Sequence, residues 1–526
     1  MSAKKDLISF CLIILLAGVL RFSGNCFDSL WLDEGYQSLI GASGHGAAQF
    51  APGKEEKLLF RFDKPAGTSE MLANFRKVDP LCPPLYALFL NRWICAFGDS
   101  DFVLRSLSAI ISTASVLSLM LFARYLIGPK AALLAGLLQA ASPFDIHYAQ
   151  EARMYCLVVL CSVISGGSLL TILKSELKCR FQLWLLPLYA VSTAAMVNSH
   201  YTALFLAASE GFAVLAYLVF QRKWRMLAFL GISWTATALL CLPWLPMFLQ
   251  SASSRKESFY VARQADLIWP FKALLRIPTN WLVFLSGQRV IAYAAGLYFS
   301  STIFLLVSIL GLCRSASGRF WPQGQSGKVW HRRHLQFVIG GLWIWALMPA
   351  LGIWLVDLLE NHKVIEVSRY LIFTSPAIYM LAGSGLMLLG QQKKILAGLL
   401  AAHLLFAGVN LIYTHSVQQR EPWQEMARQV EELIPVDSTL IVSQFYDIAC
   451  LDRYLSKPRL QTGMSPSMGR EALDKVLENK SSFALLTAQE GESIKDFVPG
   501  RYKLTKQVDL SHGLHLRLYE LAGAPH

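Results

Sequence analysis

LISFCLIILLAGVLRF, residues 7–22, is followed almost at once by NCFDSLWLDEGYQSLIGASG, residues 25–44. The first stretch has the length and composition of a spanning helix, which needs ~20 mostly apolar residues. The second sets Trp31, Asp33 and Glu34 together just where the chain leaves that helix. Whatever these carboxylates do is therefore expected at a membrane boundary. MSAKK ahead of the apolar run resembles a signal peptide, but no small-residue cleavage site follows and further apolar runs do. An uncleaved first helix is the expectation.

The same character continues along the chain. Of 526 residues, 54% are hydrophobic and 16% charged, against about a quarter charged in a soluble domain. The net charge of +13 sits in short clusters between apolar runs. That is the positive-inside pattern of a membrane protein, and it argues against nucleic acid as a partner. The ten cysteines are scattered, mostly in apolar runs, without CxxC spacing, and read as small buried hydrophobes. Cys26 and Cys82 share the predicted first external loop, but a bond between them is not the expectation.

By length, spans fall at 7–23, 103–124, 130–148, 155–173, 182–200, 201–220, 226–248, 290–313, 335–356, 370–390 and 394–413, about eleven in all. Lys4 and Lys5, Arg124 and Lys130, Lys174, Lys178 and Arg180, Arg222, Lys223 and Arg225, the loop RSASGRFWPQGQSGKVWHRRH and Lys393 and Lys394 then alternate onto one side, which is cytoplasmic. PPLYALFLNRWICAFG, 83–98, carries Asn91 and Arg92 and is read as a helix lying in the interface. The outer side collects WLDEGY, HYAQEARMY, NSHY, the 249–289 loop, EVSRY and the tail. In the tail, EPWQEMARQVEELI and REALDKVLEN read as helices, STLIVSQ and FALLTAQ as buried strands, and RYKLTKQVDLSHGLHLRLYEL as a closing hairpin turning at Ser511–Gly513. The expected architecture is an α-helical, multispanning integral membrane bundle over 1–413, with a large first external loop at 24–102, and a small soluble α/β domain outside the membrane over 414–526.

The chemistry gathers on the outer side. Asp33 and Glu34 are adjacent, so their side chains diverge, by ~100° on a helix and ~180° on a strand. They cannot face each other as a glycosidase pair does. One carboxylate at most points into a site, and the other holds a loop. A single base suffices where the leaving group is a phosphate, since no acid need protonate it. The bland alternative for WLDE is an interfacial cap with an aromatic anchor. Glu151 and Arg153 lie together at a predicted helix end, where a simple surface pair contributes only ~0–1 kcal/mol. Arg255, Lys256, Arg263, Lys272 and Arg276 place cations in an outer loop. Arg369 stands where a span begins, either reaching for headgroups or gripping a phosphate with its planar fork. Glu210 sits mid-span; alone it would support a transporter, and a paired structural role is preferred. His403 reads as a helix-packing histidine.

The order of motifs is an acidic DE after the first span, PPLY, RSLSA, SPFDIHYAQEARMY, SHYTALF, PWLPMFL, SRYLIFTSPA and EPWQEMARQVEELIP. Over roughly residues 1–450 this resembles the bacterial GT-C glycosyltransferases of the family 39 type, relatives of protein O-mannosyltransferases and of enzymes that glycosylate lipopolysaccharide. The resemblance implies a GT-C-like bundle and a polyprenyl-phosphate-linked sugar donor. It also implies inverting transfer on the outer face to a hydroxyl of an envelope glycan, lipid or protein. Carried over residue by residue, Asp33 is the base and Glu34 the second member of its motif. Glu151, Arg153 and Tyr155 match the second-loop motif, His200 and Tyr201 the SHY motif, and Arg369 and Tyr370 the late RY motif, all as substrate contacts. Where the family has His or Lys before PP, this chain has Cys82, which removes a charge from that position. The implied location is a bacterial inner membrane with the site facing the periplasm. No metal-ligand spacing is visible and no cofactor is expected, although Asp33 and Glu151 leave a shared divalent ion open. The competing readings are a transporter of lipid-linked saccharides and a non-catalytic saccharide-binding partner; several intramembrane charges and an internal duplication would favour the first.

Overall fold

The computed structural model describes residues 2–35, 42, 56–58, 66–78, 82–177, 180–254, 268–287, 328–388, 393–416, 420–436, 438–443, 447–457, 459–464 and 468–522. The chain forms two compact units: Met1–Ser23, Pro80–Tyr86 and Ser106–Tyr413 make the first, and Gly24–Asp79, Ala87–Arg105 and Thr414–His526 the second.

In chain order the helices are α1 (Ser2–Phe22), α2 (Thr68–Val78), α3 (Leu85–Phe97), α4 (Asp101–Leu126), α5 (Pro129–Ala141), α6 (Pro143–Ala149), α7 (Tyr155–Ser175), α8 (Leu185–Val197), α9 (Leu204–Phe220), α10 (Trp224–Cys241), α11 (Leu245–Ser254) and α12 (Trp269–Ser286). They continue with α13 (Lys328–Glu360), α14 (Ser375–Leu388), α15 (Lys393–Ser416), α16 (Trp423–Leu433), α17 (Asp447–Asp452) and α18 (Gly469–Val476). Among the described residues, seven helical stretches are long and apolar enough to cross a membrane: 101–126, 155–175, 201–220, 224–251, 335–360, 368–387 and 394–413. The protein is a multispanning membrane protein.

The differences from the expected spans have local causes. The stretch 130–148 is two helices, because Pro143 cannot continue α5 and Ser142 caps α6, accepting the Asp145 N–H at 3.1 Å. The stretch 182–200 yields only the 13-residue α8 after a tight turn. The span expected at 290–313 lies outside the described residues. α1 carries Lys4, Lys5, Asp6 and Arg21 and exposes Leu7, Leu12, Leu15 and Val19 along one face. The first unit packs by close approach: a Cβ on Gly383 would stand 2.7 Å from the Ala131 carbonyl, so only glycine lets α14 reach α5.

Arg21 is wholly buried: its guanidinium donates to Ser112 Oγ at 2.7 Å and to the carbonyls of Ala17, Gln139 and Ala140 at 3.2, 3.1 and 3.0 Å. A charge in an apolar run is tolerated here because each of the three guanidinium nitrogens has an acceptor.

The second unit holds a six-stranded sheet of order β1-β3-β2-β4-β6-β5. Its strands are β1 (Glu56–Leu58), β2 (Thr439–Val442), β3 (Arg459–Gly463), β4 (Ser482–Thr487), β5 (Tyr502–Leu510) and β6 (Leu514–Leu521). β3, β2 and β4 are parallel, and β6 and β5 form the antiparallel closing hairpin turning at Ser511–Gly513, as the sequence pattern predicts. β1 was not foreseen. It comes from the segment between α1 and α2 and pairs antiparallel with β3, Glu56 opposite Gln461. α3 has 13 residues, about 20 Å of helix, too short to cross a core of ~30 Å. Its Asn91 is buried and donates to the carbonyls of Ala42 and Ala66 at 2.9 and 3.3 Å, while Arg92 points out to the Thr68 hydroxyl.

Candidate active site

In the second unit the acidic motif forms a single helical turn, with the Gly35 N–H donating to the Trp31 carbonyl at 2.8 Å. Gly35 is required there: a Cβ would run into the Cys450 thiol. Glu34 is fully buried. Arg105 grips it in bidentate fashion, Nε to Oε1 at 2.9 Å and Nη2 to Oε2 at 2.7 Å. Arg420 adds Nη1 to Oε2 at 2.9 Å. Arg105 spends its remaining donors on the carbonyls of Asn25, Asp28 and Ser29 at 3.0, 2.8 and 3.0 Å. The guanidinium thus fixes both the carboxylate and the approach of the chain to it. Of the two adjacent carboxylates, Glu34 is the one that holds the loop. Asp33 is half-buried and, as its sequence neighbour, projects in a different direction.

A second set of contacts ties the same loop to the tail. The Leu30 N–H donates to the Tyr454 hydroxyl at 2.9 Å, and Tyr454 donates to Asp101 Oδ2 at 2.6 Å. Burial, and after it the charge of Asp101, pushes the Tyr454 phenol well up. Arg453 bridges Asp99 at 2.8 Å and Asp101 at 3.1 Å. Ser29 Oγ accepts the Gln424 N–H at 3.1 Å. Arg105, Arg420, Arg453 and Tyr454 were not singled out by sequence reasoning. Arg105 carried a signal, an arginine inside an apolar run, whereas the other three sit in ordinary polar stretches. Neither Cys26 nor Cys82 is in a disulfide.

In the first unit three helix breaks come together. One is Gln150–Met154 between α6 and α7, one is Asn198–Ala203 between α8 and α9, and one is the tight turn Ser368–Thr374 before α14. A chain of ring contacts joins them: Tyr148–Tyr155 at 4.8 Å, Tyr155–His200 at 6.0 Å and His200–Tyr370 at 5.3 Å between centroids. Arg153 lies 5.8 Å over the Tyr155 ring and Arg369 5.6 Å over the Tyr370 ring, both cation–π distances. Glu151 Oε1 is 3.4 Å from His147 Nε2. Thr202 Oγ lies 2.6 Å from His200 Nδ1 and donates to the Tyr370 carbonyl at 2.9 Å, locking two of the breaks together.

PPLY and RSLSA serve the same region: the Tyr86 hydroxyl is 2.7 Å from Ser108 Oγ, which donates to the Arg153 carbonyl at 3.2 Å. Behind Arg369, Ser368 Oγ donates to Asn280 Oδ1 at 2.7 Å, and Trp269 Nε1 to Glu366 Oε1 at 2.8 Å, so α12 backs the RY turn. Lys272 and Arg276 lie exposed on α12, while Arg255, Lys256 and Arg263 fall outside the described residues. Tyr201 packs edge-on against Phe248 at 5.2 Å. Arg153, Tyr155, His200, Tyr370 and Arg369 therefore lie along one chain of contacts, with a guanidinium group over the tyrosine ring at each end and Glu151 beside Arg153 in the first break.

Residues 82–247 match the family model described as dolichyl-phosphate-mannose-protein mannosyltransferase. No similar sequence was found among curated proteins. Among solved structures, ArnT from Cupriavidus metallidurans bound to undecaprenyl phosphate superposes with TM-score 0.58 at 12% identity, over 98% of this chain and 99% of that one. The archaeal oligosaccharyltransferase AglB from Archaeoglobus fulgidus, in complex with an inhibitory peptide and a dolichol-phosphate, gives TM-score 0.50 at 12% identity, over 94% and 70% of the two chains. At such identities these likenesses establish the fold. With the family-model match over residues 82–247 and the GT-C fold over the whole chain, this protein is a glycosyltransferase with the GT-C fold.

Proposed function

We propose that the chain transfers a sugar, with inversion, from a polyprenyl-phosphate-linked donor to an acceptor hydroxyl at the periplasmic face of a bacterial inner membrane. The observation that carries this reading is the gathering of Arg153 and Arg369 on the Tyr155–His200–Tyr370 chain, at the ends of membrane helices where the phosphate of a membrane-bound donor lies. The undecaprenyl phosphate of the ArnT structure and the dolichol-phosphate of the AglB structure support that donor class. The acceptor is a hydroxyl of an envelope glycan, lipid or protein.

Asp33 takes the acceptor proton. The freed oxygen attacks the anomeric carbon from the face opposite the phosphate, the bond from that carbon to the phosphate oxygen breaks, and its electron pair leaves with the polyprenyl phosphate. The leaving group is already a stable anion, so no acid is needed. Arg369 and Arg153 stabilise its charge. Glu151, Tyr155, His200, Tyr201 and Tyr370 position the donor. Glu34 acts through Arg105 and Arg420 by holding the turn that carries Asp33. With Cys82 in place of a basic residue, the phosphate depends on the two arginines.

The test is sugar transfer in membranes holding wild type or Asp33→Asn at matched protein level. A panel of labelled polyprenyl-phosphate sugars serves as donors and envelope extract as acceptor. Transfer from one donor, reduced by about 10²–10⁴-fold in the variant, is expected. Equal transfer by both proteins would remove Asp33 from its role.

A further inference from the structure

Away from these residues, a cavity of about 240 Å³ lies between α7, α9 and α13, walled by Leu169, Leu170, Leu173, Val214, Phe337 and Trp345. One carboxyl group, Glu210, lines this space, whose other walls are apolar but for the Tyr217 phenol, itself held by Lys223 at 3.3 Å. Glu210 is 6% exposed. Among the described residues its one hydrogen bond comes from Ser165 Oγ at 3.4 Å, the weak end of the range, and that hydroxyl already pairs with Thr193 at 2.8 Å. The cation partner expected from the sequence is not found among the described residues.

The cavity runs from the middle of the helices toward the ends opposite the cluster described above. Arg153, Tyr155 and His200 mark the first ends of α7 and α9, whereas Leu173 and Tyr217 lie near their last turns. Glu210 stands about 9 Å along α9 from Leu204 and about 15 Å from its basic end, inside a helix long and apolar enough to cross a membrane. α9 exposes Phe212, Leu215 and Val219, so one wall of the cavity borders lipid. A carboxyl group at this depth is costly without a partner. Water is a poor filler, since it needs two to four polar partners.

We propose that this cavity is a lipid site for a hydrocarbon chain that carries its own hydroxyl group, which donates to Glu210. Plain chains match the walls but leave the carboxyl group unmet. The ester carbonyls of glycerolipids lie at the interface, about 15 Å from mid-core, and do not reach it. A polyprenyl tail is hydrocarbon beyond its phosphate and has no group to offer. A hydroxyl part-way along the chain satisfies both wall and carboxyl group.

Native mass spectrometry of the purified full-length protein tests this directly. The probes are a phosphatidylglycerol with one 12-hydroxystearoyl chain and its stearoyl twin, with retained lipid counted after detergent washing. Wild type should retain the hydroxylated probe about tenfold better, the worth of one buried hydrogen bond. Glu210→Leu should erase that preference while still holding a chain. Gly340 lines the cavity and an added Cβ there meets nothing within 4 Å, so Gly340→Phe should fill the space and lose both probes; Ala213→Phe is the second filling variant. No preference in wild type, a preference that survives Glu210→Leu, or full retention in both filled variants would overturn the proposal. So would one-for-one displacement by undecaprenyl phosphate, which would assign the cavity to a polyprenyl tail. Retention is read without any sugar transfer, so this result stands apart from the proposed reaction.

Discussion

Arg420 Nη1 lies 2.9 Å from Glu34 Oε2, so the residue that opens the tail completes the clamp on the acidic turn. Glu34 then carries two guanidinium partners while being wholly buried. Removing the carboxylate would leave two buried cations without their counter-charge, and breaking a buried pair in this way costs about 3–5 kcal/mol. Glu34→Gln is expected to lower the melting temperature measured in detergent and to lose transfer together with structure. Asp33→Asn is expected to lose transfer with melting unchanged. The contrast separates a residue that positions from a residue that reacts.

The Arg420 contact is measurable by itself. Arg420→Ala leaves Glu34 its bidentate Arg105 partner, so a smaller loss is expected than for Glu34→Gln. In a double-mutant cycle the two substitutions should be non-additive by about 0.5–3 kcal/mol. Additive melting shifts would mean that the contact contributes nothing to holding the turn.

The two arginines of the ring cluster should behave differently from lysines. A guanidinium can stack on Tyr155 or Tyr370 and still present a planar fork to phosphate. Arg369→Lys keeps the charge but loses the stacking and the fork. We expect it to lower kcat/KM for the donor by at least about tenfold, with Arg369→Ala lower still. Full activity of the Ala variant in steady-state kinetics would take Arg369 out of the site.

Acid should unfold the tail through a particular carboxylate. Burial opposes ionisation of Glu492, but hydrogen bonds from Arg517, Lys495 and Thr487 outweigh it and hold the group down at about 2, from an ordinary 4.5. A folded-state value below the unfolded one stabilises the fold fully above about 4.5, and that contribution fades as the pH falls from there toward 2. Pepsin cleavage of β4 and β6 should therefore rise across that window in wild type. Glu492→Gln should cleave faster at pH 5 and show a flatter pH response.

How much of this was legible in sequence depends on range. Local patterns gave the apolar helices, β2 and β4 of the tail and the hairpin turning at Ser511–Gly513, but not β3. The rule that adjacent side chains diverge gave one reacting and one holding carboxylate in the DE motif, and the structure shows Glu34 as the holder. Its partners were not legible: Arg105 is 71 residues away and Arg420 386 residues away, and nothing local in either stretch names Glu34. The break at Ser142 was written in SP and was overridden by the apolar character of both flanks. Arg21 drew no reading from the sequence, and only the fold supplies the four acceptors that let it be buried. Glu210 was expected to be paired, because a lone carboxyl group in a membrane is unfavourable; the chain offers it Ser165 and a cavity instead.

The pairing of β1 with β3 has a consequence for biogenesis. Glu56 leaves the ribosome on the order of 400 residues before Gln461, and at about 5–20 residues per second that delay is some tens of seconds. Through that interval the first loop has no strand to join, so this edge of the sheet is among the last parts of the protein to form. A chain arrested before β3 would expose an unpaired strand, a substrate for quality-control proteases and a target for holding chaperones.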